Sequence, residues 1–168
     1  MPEVAWGKKV SPAFKSKVLT ISDKLGCDPS HLMSAMAFET GERFTANVQN
    51  KVSKATGLIQ FMPSTAKSLG TSIGALAAMT AVDQLDFVEK YLKPFKGKMK
   101  TLSDVYMTIL FPKAVGKPEA FVLFKSPSKQ FKQNAGLDVN KDKQVTKGEA
   151  AAKVQAKLVR GLSASLRG

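Results

Sequence analysis

Two residues stand out as able to do chemistry. Glu39 closes an apolar run, LMSAMAFE, and about twenty residues later Gln60 interrupts a second one, GLIQFM. A carboxylate at the end of an apolar helix is a weak choice for stability, because burial penalises its charged form. It is a strong choice for a general acid that must hold its proton near neutral pH. A solvated glutamate at a helix end is the competing reading, and the local pattern leaves both open. Gln60 raises a similar question, since a buried amide must find hydrogen-bond partners.

Helices are needed to position these residues. Phe14, Val18, Ile21 and Leu25 recur at helical spacing, which predicts a helix over Pro12–Leu25 stopped by Gly26. Asp28 before Pro29 is an N-cap followed by proline at the first helical position. A second helix is therefore predicted to run to about Thr40, with Leu32, Met33, Met36 and Ala37 inward and Gly41 ending it. Phe44 to Thr56 is polar, amide-rich and aperiodic, a loop whose Asn47, Gln49 and Asn50 either line a sugar groove or face water. Met62 to Ala66 opens a short helix ending near Gly70. Val82, Leu85, Val88 and Leu92 mark another between Thr80 and Pro94, followed by a basic connector of Lys93, Lys96, Lys98 and Lys100. Thr101 to Phe111 is the most apolar helix candidate, whereas Ala120 to Phe124 is apolar but fits neither helix nor strand period.

With 168 residues and 43% hydrophobic content, the chain suits one domain with a real core and a small appendage, mainly α because helix formers dominate. Its charge is unusual: 26 Lys+Arg against 13 Asp+Glu, a net +13, which attracts polyanions such as nucleic acid, anionic lipid or envelope phosphates. The lone Cys27 excludes an internal disulfide framework and reads as a small buried filler. The lone His31 cannot build a multi-histidine metal site and belongs to a helix's first turn. No run approaches a membrane span, and MPEVAWGKKV lacks the apolar core of a signal peptide.

The tail carries a second motif. DVNKDKQVTKGE places Asp138, Asn140, Asp142, Gln144, Thr146 and Glu149 at loop positions 1, 3, 5, 7, 9 and 12, the oxygen-ligand spacing of an EF-hand loop. Asp138, Asn140, Asp142, Gln144 and Glu149 are the metal-ligand candidates, and the implied ion is a structural Ca2+. Lys143 stands where such loops have glycine, and Lys141, Lys143 and Lys147 offset the acids. The alternative is a polar turn into a helix capped by Thr146 and Glu149. The last segment, AAAKVQAKLVRGLSASLR, is a basic amphipathic helix suited to packing on the domain or to lipid.

AFETGERF followed by GLIQFMPSTA resembles the catalytic region of the soluble lytic transglycosylases and goose-type lysozymes, in the form of phage-encoded, endolysin-like members. Glu39 matches the family glutamate, and Thr40 replaces the serine that follows it. Gly57, Leu58, Gln60, Met62, Pro63, Thr65 and Ala66 match the groove segment, with Ile59 in place of methionine. The likeness covers roughly residues 12–125. It lacks the later A-Y-N-A-G segment, and Tyr106 in DVYMTILFPKAVGKP is the candidate for the family tyrosine. The resemblance implies a lysozyme-like transglycosylase domain over 1–133. The EF-hand-like loop and C-terminal helix, 134–168, are expected to pack on or beside it.

It also implies a peptidoglycan glycosidase in which Glu39 protonates the β-1,4 bond between N-acetylmuramic acid and N-acetylglucosamine. Thr40, Gln60, Met62 and Tyr106 would bind substrate, and catalysis would need no cofactor. A hydrolase requires a second carboxylate to position water. Between Glu39 and Gly57 the only other acid is Glu42, expected to face outward, so a transglycosylase giving a 1,6-anhydro product is favoured over a muramidase hydrolase. The expected setting is a monomeric phage endolysin, kept in the host cytoplasm until holin-dependent release, or a virion-carried enzyme. Its positive charge would meet an anionic envelope surface, not nucleic acid. A cationic, calcium-stabilised envelope-binding module without catalysis is the alternative from another class.

Overall fold

The structure is a computed structural model that describes all 168 residues. Eight α-helices and one two-stranded sheet follow in the order α1 (Pro12–Leu25), α2 (Pro29–Glu39), α3 (Pro63–Ser68), α4 (Ile73–Ala78), α5 (Ala81–Leu92), α6 (Leu102–Leu110), β1 (Val122–Lys125), α7 (Lys129–Asn134), β2 (Gln144–Thr146) and α8 (Lys147–Gly161). The mainly helical expectation holds. α3 begins at the expected proline, while α4 and α7 are too short to show an apolar stripe. Ser72 and Ser128 cap their N-termini.

α2 is the centre. The Asp28 side chain accepts a hydrogen bond from the Ser30 amide at its start, and six consecutive residues, Leu32 to Ala37, are buried. A helix that is apolar all round must be enclosed, and α1, α6 and α8 pack around it. It ends in a Schellman motif: the Gly41 amide donates to the Phe38 carbonyl and the Glu42 amide to the Ala37 carbonyl at 2.7 Å. Gly41 and Glu42 both take positive φ, 58° and 68°. The second of these is costly for a residue with a side chain.

α8 starts at Lys147 and stops at Gly161, short of the Arg167 that its amphipathic pattern suggested. Gly161 presses its backbone against Trp6, where an added Cβ would lie 2.2 Å from the indole nitrogen. The same indole N–H donates to the Lys157 carbonyl at 3.0 Å. Beyond Gly161 the chain turns back, and Val4 and Gly168 exchange both backbone hydrogen bonds, at 2.8 and 3.2 Å. Val4, Ala5 and Trp6 are thereby fully buried.

The apolar segment near Ala120 forms β1 because β2 pairs with it, antiparallel, with Val122 opposite Thr146 and Phe124 opposite Val145 across a bulge. A buried ion pair ties this region to the centre. Asp104 of α6 and Lys147 of α8 are both almost wholly buried and their charged atoms lie 2.5 Å apart. The Asp104 carboxylate also accepts from the Gly116, Lys100 and Thr101 amides, and the Lys147 ammonium donates to the Lys117 carbonyl. Lys147 therefore belongs to the core. It is not one of the cations that oppose the acidic loop, as its sequence position suggested.

Burial alone would raise the Asp104 pKa, but the Lys147 hydrogen bond and the backbone donors hold it below the usual carboxylate range. Removing one partner leaves an uncompensated buried charge, which typically costs about 3–5 kcal/mol. Asp104→Ala is expected to lower stability by about that amount in denaturant titrations. A loss below about 1 kcal/mol would show the pair to be dispensable.

Candidate active site

Glu39 is the last residue of α2, half-buried where the enclosed helix reaches the surface. Desolvation pushes its pKa from 4.5 up to about 7. A carboxyl with that value keeps its proton up to neutral pH, which is what the apolar run predicts. Tyr106, buried on α6, packs edge-on against Phe38 with ring centroids 5.6 Å apart. Burial, and then the nearby Glu39 charge, push its hydroxyl far above the usual tyrosine value, so it remains a neutral donor.

The segment from Gly57 to Met62 forms a tight loop. Gln60 takes φ 54°, and its side-chain amide N–H groups donate to the Val48 and Gly57 carbonyls, both at 3.0 Å. The partners demanded by its half-burial are thus backbone groups, one in its own loop and one in the segment before it, and only its Oε1 is left for a ligand. Ile59, Gln60, Met62 and Thr65 border a small cavity of about 60 Å³ closed by Tyr91 and by Ile109 of α6. Tyr106 and Ile109 lie three residues apart on α6 and so share a face. That face carries both the tyrosine beside Glu39 and one wall of the Gln60 cavity. Met62 is largely exposed at the rim.

Other sequence candidates take different roles. Thr40 is buried; its hydroxyl donates to the Met36 carbonyl at 2.7 Å and accepts from the Phe44 amide at 3.0 Å. It shapes the turn after Glu39 and does not face the groove, a correction that follows from its burial. Asn50 caps the Val52 and Ser53 amides, and Gln49 donates to the Thr56 hydroxyl, while Asn47 is exposed. Glu42 does not point outward to water. Its carboxylate turns to α8, where Lys157 Nζ and the Arg160 guanidinium bind it, the latter through Nε and Nη2 at 3.0 Å. These hydrogen bonds hold its pKa down at about 2. Cys27 is half-buried, and burial raises its thiol pKa, so it stays a neutral filler. His31 sits in the first turn of α2, 3.8 Å from Asp28.

Gln84 of α5 is the positioning residue that the sequence did not disclose. It is fully buried; its Oε1 accepts from the Leu58 amide at 2.7 Å and its amide donates to the Ala46 and Leu76 carbonyls. It packs so closely on Gly57 that a Cβ there would fall 2.2 Å from Gln84 Oε1. A polar residue one helical turn before Val88, on the buried stripe of α5, was the available signal.

In the tail, Asp138, Asp142 and Glu149 bring carboxylate oxygens within 4.8 Å of one another, a cluster that can hold a metal ion. The Asp138 carboxylate accepts from the Asp142 and Lys143 amides, and Lys143 adopts φ 66° where glycine was expected. The turn therefore forms without glycine, at a conformational cost of about 1–2 kcal/mol. Asn140 is exposed beside Asp142, and Gln144 opens β2 with its amide bonded to the Asp142 carboxylate. Glu149 also completes the capping box of α8 with Thr146.

By sequence, the chain matches no known protein family and no curated protein.

Because Glu39 titrates at about 7 in the folded protein against 4.5 otherwise, the folded state holds this proton more tightly than the unfolded chain. Stability associated with the neutral carboxyl is then lost as pH rises from 4.5 through 7. Glu39→Gln is expected to change melting little at pH 4 and to stabilise at pH 8, by about 1–3 kcal/mol. An equal effect at both pH values would mean that Glu39 is not held neutral.

Proposed function

We propose that this protein is a peptidoglycan lytic transglycosylase with a lysozyme-like fold, in which Glu39 acts first as acid and then as base. The observation that carries this reading is a single desolvated carboxyl, neutral up to about pH 7, at the end of an enclosed helix beside a neutral tyrosine. The order and gap of AFETGERF and GLIQFMPSTA supply the substrate class. Glu39 gives its proton to the glycosidic oxygen as the bond from C1 of N-acetylmuramic acid breaks and oxocarbenium character develops. The departing N-acetylglucosamine leaves with a 4-hydroxyl. The Glu39 carboxylate then removes the proton of the muramic C6 hydroxyl, whose oxygen closes on C1 to give the 1,6-anhydro sugar. Tyr106 and the Gln60 Oε1 would orient the sugar, and Met62 would form part of the groove rim.

A hydrolytic outcome needs a second carboxylate as base for water. Glu42, the nearest in sequence, is bound by two cations and held at a pKa of about 2, which makes it a poor base. That favours the water-free route. The proposed setting is a phage endolysin or virion-carried murein enzyme whose +13 charge meets an anionic envelope.

The tail would be an EF-hand-like calcium loop. Its carboxylate cluster, the Asp138 contacts to the Asp142 and Lys143 amides, and the strand over Gln144–Thr146 support that assignment.

Two tests follow. Mass spectrometry of digested murein should find anhydromuramic ends, and Glu39→Gln should lose clearing activity by at least a hundredfold while staying folded; reducing ends would instead indicate hydrolysis. Calcium at a hundred times its Kd should stabilise the protein by about 2.7 kcal/mol, and Glu149→Gln should remove that gain. A melting temperature indifferent to millimolar calcium would sink the calcium assignment.

A further inference from the structure

The turn that ends α2 is clamped from the far end of the sequence. Glu42 follows Glu39 by three residues, in the left-handed conformation, and its carboxylate is gripped by Lys157 and Arg160 from one turn of α8. That turn of α8 is itself fixed: the Trp6 indole donates to the Lys157 carbonyl, and the Arg160 guanidinium stacks 5.6 Å from the Trp6 ring centroid. The strained backbone and the two-cation grip thus coincide in the turn that directly follows Glu39.

We propose that Glu42, with Lys157 and Arg160, is a positioning unit for Glu39. Its carboxylate locks the turn that follows Glu39 and neutralises the two α8 cations that reach that turn. The proposal rests on the reading of Glu39 as the general acid. The remaining charged groups on the elements around α2 are accounted for otherwise. On α1, Lys17 pairs with Asp86 and Lys24 lies 3.8 Å from Glu89, both on α5, while Asp23 is exposed and Lys15 only half-buried. On α6, Tyr106 faces Glu39 and Asp104 is bound to Lys147. On α8, Glu149 serves the capping box with Thr146 at the far end of the helix and Lys153 is exposed, and in the turn itself Arg43 lines a separate cavity with Ser11 and Thr80.

The unit has a signature that packing alone cannot mimic, because its two halves carry opposite charge. Glu42→Gln leaves two unneutralised cations at the turn three residues beyond Glu39, which favours the carboxylate. Lys157→Met/Arg160→Met leaves a free anion there, which favours the neutral acid. The Glu39 titration, read by carbon NMR of its side-chain carboxyl, should move down by a few tenths of a unit or more in the first variant and up in the second. Arg160→Lys, which keeps the charge, should stay close to the parent. Shifts of the same sign in both variants, or none in either, would overturn the proposal. Failure of the transglycosylase reading registers separately, as murein clearing by Glu39→Gln, since the titration is read on the carboxyl itself.

Discussion

The structure depends on the enclosure of one helix. From Leu32 to Ala37 α2 has no solvent face, and three helices are recruited to cover it. The hydrophobic effect favours that enclosure at roughly 25 cal/mol for each Å² of apolar surface removed from water. It also means that whatever residue occupies the helix end inherits a desolvated setting. Glu39 occupies that place. Its raised pKa is a by-product of the packing that holds the fold together.

Enclosure is completed by the last quarter of the chain. α8 lies along both α2 and α6, anchored at its start by Lys147 on Asp104 and at its end by Gly161 on Trp6. The two anchors differ in kind. The first is a buried ion pair, which is a weak source of stability against an apolar substitute and a strong penalty when half removed. The second is shape, a glycine backbone lying flat on an indole. At its start, the capping box of Thr146 and Glu149 joins the acidic loop to this helix.

Much of this was legible beforehand because it is local. The helix over Pro12–Leu25, the Asp28–Pro29 start and the end near Gly41 are written in periodicity and capping, and the structure follows them. Glu39 was legible because a carboxylate in an apolar run is anomalous. The parts that were hidden are long-range. Nothing near Glu42 announces Lys157 and Arg160, more than a hundred residues away. Nothing in Lys147 separates it from the lysines of the acidic loop until Asp104 is placed opposite. Thr40 looked like a substrate-binding residue because it stands at the serine position of the family motif, and only the Met36 carbonyl and the Phe44 amide show where its hydroxyl is used. β1 had no clear period because it is short and is itself bulged between Val122 and Phe124.

The contact between Gly57 and Gln84 ties two distant positions into one unit of sequence variation. Any side chain at 57 would strike the Gln84 amide, and any smaller residue at 84 would leave the Leu58 amide and the Ala46 and Leu76 carbonyls without their partner. Neither position can drift alone, so relatives of this chain should keep both or exchange both together. Such covariation would trace the seat of the Gly57–Met62 loop in an alignment, even where α2 itself has changed beyond recognition.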